Sequence, residues 1–60
     1  MSEITQQQWS EAVRHAKYYL GLYKEIPTGF FGAAFINRMI IRYEAGERTK
    51  ELYQDMMDVE

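Results

Sequence analysis

Tyr23-Lys24-Glu25-Ile26-Pro27-Thr28-Gly29-Phe30 separates two runs of helical apolar spacing, and its reading decides the fold. The ring of Pro27 crowds the backbone of Ile26 and pushes it out of the helical region, while Pro27-Thr28-Gly29 has the composition of a turn. The preceding helix should therefore end near Tyr23 or Lys24. Gly21 weakens its last turn, because glycine costs about 1 kcal/mol relative to alanine inside a helix. The chain then starts afresh, with Thr28 as the expected N-cap, a helix over residues 30–45, and Gly46 as the residue just past its end.

Upstream, Ile4-Thr5-Gln6-Gln7-Gln8-Trp9 combines a capping box, Thr5 with Gln8, and a hydrophobic staple, Ile4 against Trp9. The first helix should begin at Thr5. Its apolar positions Trp9, Val13, Ala16, Leu20 and Tyr23 are spaced four, three, four, three, which draws one continuous seam along a helix. Downstream, Thr49 is a second cap, with Glu51 in the first turn where the helix dipole favours an acid. Leu52, Tyr53, Met56 and Met57 follow on one face of a short helix. No segment alternates apolar and polar residues as a half-buried strand would, and no repeat occurs. These signals predict an all-α fold over residues 1–60: a helical hairpin of two longer helices plus a short C-terminal helix, in one domain.

A 60-residue chain buries only about 60% of the surface its unfolded form exposes, so a single core stabilises it marginally. There is no cysteine to close a disulfide, which leaves helix packing, metal or oligomerisation. The polar start Met1-Ser2-Glu3-Ile4-Thr5-Gln6-Gln7-Gln8 does not read as a secretory signal, and the longest apolar-plus-glycine run, residues 29–36, is too short to span a bilayer. The expectation is a cytoplasmic protein that does not enter membranes.

The second helix carries more apolar surface than two neighbours need. Projected at 100° per residue, Gly32, Phe35, Ile36, Met39, Ile40 and Tyr43 share one broad face, the expected core. A second row, Phe30, Ala34, Asn37 and Ile41, is spaced four, three, four and points away from it. Asn37 within that row is either a solvent-exposed residue or a lone polar residue fixing register in a buried seam. The first helix repeats the pattern with Glu11, His15, Tyr18 and Leu22, and tyrosine is favoured at interfaces for its large contact area at low entropy cost. Tyr18, Leu22, Phe30, Ala34, Asn37, Arg38 and Ile41 are thus the candidate interface, centred on the second row of helix 2.

Charge is segregated. Residues 14–42 carry five bases against one acid, a net of +4, and residues 47–60 carry two bases against five acids, a net of −3, within a chain of net charge −2. The acids Glu51, Asp55 and Asp58 lie along one side of helix 3. They form either a solvated face or a patch complementary to a neighbouring subunit's Arg38 and Arg42, or to a basic partner.

Catalytic chemistry is not encoded in any recognisable pattern. There is one histidine, His15, and two serines, Ser2 and Ser10, with no base beside either. Glu11 and His15 at i, i+4 could present two metal ligands, which is too few for a site. Gly29 and Gly32 precede no GK[ST] and follow no strand, so close helix packing accounts for them. No enzyme activity, cofactor or metal is expected.

Ile40-Ile41-Arg42-Tyr43-Glu44-Ala45-Gly46-Glu47-Arg48-Thr49 resembles the exit of the recognition helix in phage repressor and Cro-type helix-turn-helix domains, where an aromatic-Glu-x-Gly-x-Arg stretch occurs. The resemblance covers about ten residues of the chain. It implies a DNA-binding regulator with Arg38 and Arg42 at phosphates or base edges. The family's upstream glycine turn is replaced here by the apolar Phe31-Gly32-Ala33-Ala34-Phe35-Ile36, and net acidity opposes phosphate neutralisation. The reading that absorbs most of the sequence is a self-associating protein-binding module. In style it is similar to the accessory proteins of phages and mobile elements that inhibit or regulate a larger host protein. A DNA-binding regulator and a structural assembly subunit are the alternatives.

Overall fold

A computed structural model describes residues 3–60, and Ser2 lies outside the described residues. Three helices follow in order: α1 (Gln6–Glu25), α2 (Phe30–Glu44) and α3 (Lys50–Met57). There is no strand among the described residues, so the fold is all-α, as the periodicity predicts.

Helix α1 begins where its sequence says it should. Thr5 is extended, its Oγ1 accepts from the Gln8 amide at 3.1 Å, and Gln8 Oε1 accepts from the Thr5 amide at 2.8 Å, completing the capping box. It ends at Glu25, a residue or two later than expected, because Ile26 is the first position that Pro27 forces into extended backbone.

The start of α2 differs from expectation. Its N-cap is Gly29, with no side-chain cap, and Thr28 is an exposed turn residue. The reason is space. The hairpin folds Gly29 so tightly against the end of α1 that a Cβ there would lie 2.3 Å from the carbonyl oxygen of Tyr23. Gly32 continues this close approach, since a Cβ on it would meet the Tyr23 ring at 2.9 Å.

At its other end α2 stops in a Schellman motif. Gly46 adopts φ 105°, its amide donates to the Tyr43 carbonyl at 3.0 Å, and the Glu47 amide donates to the Arg42 carbonyl at 3.0 Å. The two side chains that usually make an apolar contact across this motif are here Arg42 and Glu47, which form a bidentate ion pair with Nε–Oε1 at 2.9 Å. Glu47 also accepts from the Thr49 hydroxyl at 2.9 Å, and Thr49 Oγ1 caps α3 by accepting from the Leu52 amide at 3.1 Å. One chain of bonds therefore joins the stop of α2 to the start of α3.

The core lies where all three helices meet. Trp9, Ala12 and Ala16 of α1, Ile36, Met39 and Ile40 of α2, and Leu52, Met56 and Val59 are buried. Trp9 sits between the rings of Tyr43 and Tyr53, each centroid 5.5 Å away, and the Arg48 guanidinium covers Tyr43 at 3.7 Å. Of the expected seam of α1, Val13, Leu20 and Tyr23 pack against this core while half-buried. Ala12 fills a place that the four-three spacing passed over.

Candidate protein-interaction surface

Helix α3 is short because its acidic sequence supplies only two turns of apolar spacing. Eight residues rise about 12 Å against about 30 Å for the twenty of α1. The third helix thus packs along part of the hairpin, and residues 58–60 continue its line towards the turn. They are tied down by two side chains of α1. His15 Nε2 donates to the Val59 carbonyl at 2.6 Å and Tyr23 Oη to the Glu60 carbonyl at 2.7 Å. Because a carbonyl can only accept, the proton of His15 sits on Nε2. His15 is half-buried and bonded within the chain.

Six of the eight exposed large apolar side chains fall between residues 18 and 35: Tyr18, Leu22, Ile26, Phe30, Phe31 and Phe35. Two expected core residues are corrected by this geometry. Phe35 is 58% exposed, because it stands on the rim of a groove that Asp55, Asp58, Val59 and Glu60 line without covering it. Met57 is 41% exposed, turned outward at the end of α3 while Leu52 and Met56 fill the core.

The seven candidate interface residues, Tyr18, Leu22, Phe30, Ala34, Asn37, Arg38 and Ile41, are all exposed on the chain. They do not form one patch. Phe30, Ala34, Asn37 and Ile41 follow α2 on the side opposite Ile36, Met39 and Ile40, whereas Tyr18 stacks edge-on against Tyr19, which in turn meets the His15 ring beside Val59. Tyr18 and Leu22 therefore belong to the face that holds the C-terminal segment. Phe35 is on that face too, where it lines a groove of about 340 Å³ together with Tyr23, Val59, Asp58 and Glu60. The sequence reading missed Ile26, Phe31 and Phe35 as surface residues. Their signal was present: Phe31 fits neither row of α2, and Ile26 continues the four-residue spacing of Tyr18 and Leu22.

The surface thus has two parts. A front face prolongs the line of α3 between Tyr18, Leu22 and Ile26 on one side and Phe31 and Phe35 on the other. A back row runs along α2. The only ion pair among the described residues is Arg42–Glu47, so Arg14, Lys17, Lys24 and Arg38 carry charge without an acidic partner. Arg42 is held in its charged form by Glu47, and Glu47 lies below its ordinary value of 4.5 because Arg42 and then Thr49 donate to it. Arg48 spends its donors on the carbonyls of Tyr43 and Glu47. The stretch that resembles a repressor helix exit accordingly builds the α2–α3 corner.

A second cavity, about 550 Å³, opens beside Trp9 and is walled by Gln6, Gln8, Arg48 and Lys50. It brings together neither a nucleophile with a base nor paired carboxylates. Among the described residues no group of three or more His, Cys, Asp or Glu could hold a metal ion, and no helix is long and apolar enough to cross a membrane. The chain matches no family model, and comparison with curated proteins and with solved structures finds no match either.

Proposed function

We propose that this chain is a protein-binding module that associates with itself and occupies a larger protein as an inhibitor or regulator, in the manner of small phage accessory proteins. One observation carries the reading: six large apolar side chains stand exposed between residues 18 and 35, around the turn of the hairpin. Exposed apolar side chains in that number on so small a chain mark a contact site, since they promote aggregation unless a partner covers them.

What favours protein over DNA as the partner is the use made of the arginines. Arg42 is bound by Glu47 and Arg48 by backbone carbonyls, so two of the bases nearest the helix exit are already engaged. The acids of α3 would also repel phosphates.

The test is mass in solution together with helicity. The wild-type chain should run above its 7.2 kDa monomer mass at micromolar concentration. A double variant, Leu22→Asp with Ile41→Asp, puts one charge on each exposed face. It should be monomeric and still helical, because both positions are solvent-facing on the chain. Ile40→Asp, one residue away in the core, should unfold. A wild type that stays monomeric and fully stable at high concentration, or salt-sensitive binding to duplex DNA, would overturn the reading.

A further inference from the structure

We infer that the front face is closed by a second copy of this chain, arranged antiparallel about a two-fold axis near Leu22, which leaves the back row for the larger partner. This rests on the self-association proposed above and specifies which face performs it and how.

The first argument is area. Tyr18, Leu22, Ile26, Phe31 and Phe35 are 63%, 40%, 47%, 82% and 58% exposed. At about 200 Å² per large side chain they offer roughly 600 Å² of mostly apolar surface. A standard interface buries about 800 Å² per partner, of which about 65% is apolar in homodimers, so this one face meets the requirement. The back row offers less, since Ala34 is small and Asn37 is polar.

The second argument is spacing. Tyr18, Leu22 and Ile26 follow one another at four-residue intervals on the same flank of α1 and its cap. An antiparallel two-fold through Leu22 sets Leu22 against the partner copy's equivalent residue, and Tyr18 against the partner copy's Ile26. Phe31 and Phe35, also four apart, close the other side of the seam. Two bare hairpin ends then complete each other as a four-helix layer, and each α3 lies beyond the end of the other hairpin.

Charge selects the direction. A parallel pairing would bring two segments of net −3 side by side. The antiparallel one sets the acidic groove edge of each copy, where Asp55, Asp58 and Glu60 stand, beside the hairpin end of the other, whose residues 18–35 carry only Lys24 and Glu25 and so no net charge.

The absence of cysteine makes this testable by disulfide trapping with single substitutions. Under mild oxidation of the full chain, Leu22→Cys should convert almost wholly to a covalent dimer. Tyr18→Cys and Ile26→Cys should each give at least several-fold less alone and should form the mixed dimer when combined. Leu22→Asp should be monomeric with unchanged helicity, and Ile41→Asp should remain dimeric. If Tyr18→Cys and Ile26→Cys each couple to themselves, the pairing is parallel and the inference fails. If Ile41→Asp is the monomer and Leu22→Asp the dimer, the copies meet on the back row: the inference fails while self-association stands. A wild-type monomer that binds lipid vesicles through the hairpin end overturns both.

Discussion

The two halves of this molecule are built from the same two helices and differ in one thing, a third layer. In the half holding Trp9, α3 and the Arg42–Glu47–Thr49 corner close the core, and Leu52 and Met56 are wholly buried. In the half holding the turn, α1 and α2 pack on each other through Tyr23 lying over Gly32, the C-terminal segment reaches them only through the Tyr23–Glu60 bond, and Leu22, Ile26, Phe31 and Phe35 stay exposed. A hairpin buries one stripe of each helix. Whatever apolar surface lies on the flanks is structural where a third element reaches it and is left for contact where none does.

Four changes would break or sharpen this contrast. Trp9→Ala has the largest expected effect, a loss of about 3–5 kcal/mol, because it empties the space between Tyr43 and Tyr53 in the three-layered half. Thermal or urea unfolding followed by circular dichroism measures it, and a loss below about 1 kcal/mol would mean that the core does not rest on this ring.

In the other half the corresponding weak point is backbone. Gly29→Ala should cost roughly 1–3 kcal/mol, since the added methyl meets a carbonyl oxygen that cannot rotate away. An unchanged midpoint would show that the turn opens at little cost.

Gly21→Ala should do the reverse. Nothing lies within 4 Å of a Cβ at Gly21, so the substitution should raise stability by up to about 1 kcal/mol through helix propensity alone. Should it instead weaken self-association, Gly21 would be part of the contact between copies.

The smallest effect concerns acid sensitivity at the α2–α3 corner. Native Glu47 sits below its ordinary 4.5, held charged by Arg42 and Thr49. The folded state therefore binds this proton less readily than the unfolded one. The resulting stability is complete above about pH 4.5 and is lost as the pH falls through the lower native value. Arg42→Ala should flatten that part of the stability profile, and added salt should mute the difference because the pair is solvent-accessible. Identical acid profiles for the variant and the parent would show that the pair contributes nothing there.

Much of the closed half was legible in the sequence, because its signals are local. The capping box at Thr5 and Gln8, the cap at Thr49 and the glycine after α2 each satisfy backbone groups within a few residues of themselves. That Tyr18, Leu22, Phe30, Ala34 and Ile41 lie off the inward stripes also followed from periodicity, whereas the exposure of Asn37 was left open. Three things did not. Gly29 replaced Thr28 as the cap because of an approach to Tyr23 that only the folded hairpin creates. His15 and Tyr23 found partners in the carbonyls of Val59 and Glu60, 44 and 37 residues away in sequence. Phe35 left the core.

The sequence by itself thus determined the three helices, the caps of α1 and α3 and most of the stripe each turns inward, since helix formation and capping are settled by residues three or four apart. The tertiary structure alone decided which flanks of those helices are covered. That depends on how far α3 reaches along the hairpin and on the side of α1 to which its last residues are tied. A helical projection gives the angle of a side chain about its own axis but not the length of the neighbour that would bury it, so Phe35 and Ile36, adjacent in the chain and both apolar, end at 58% and 2% exposure.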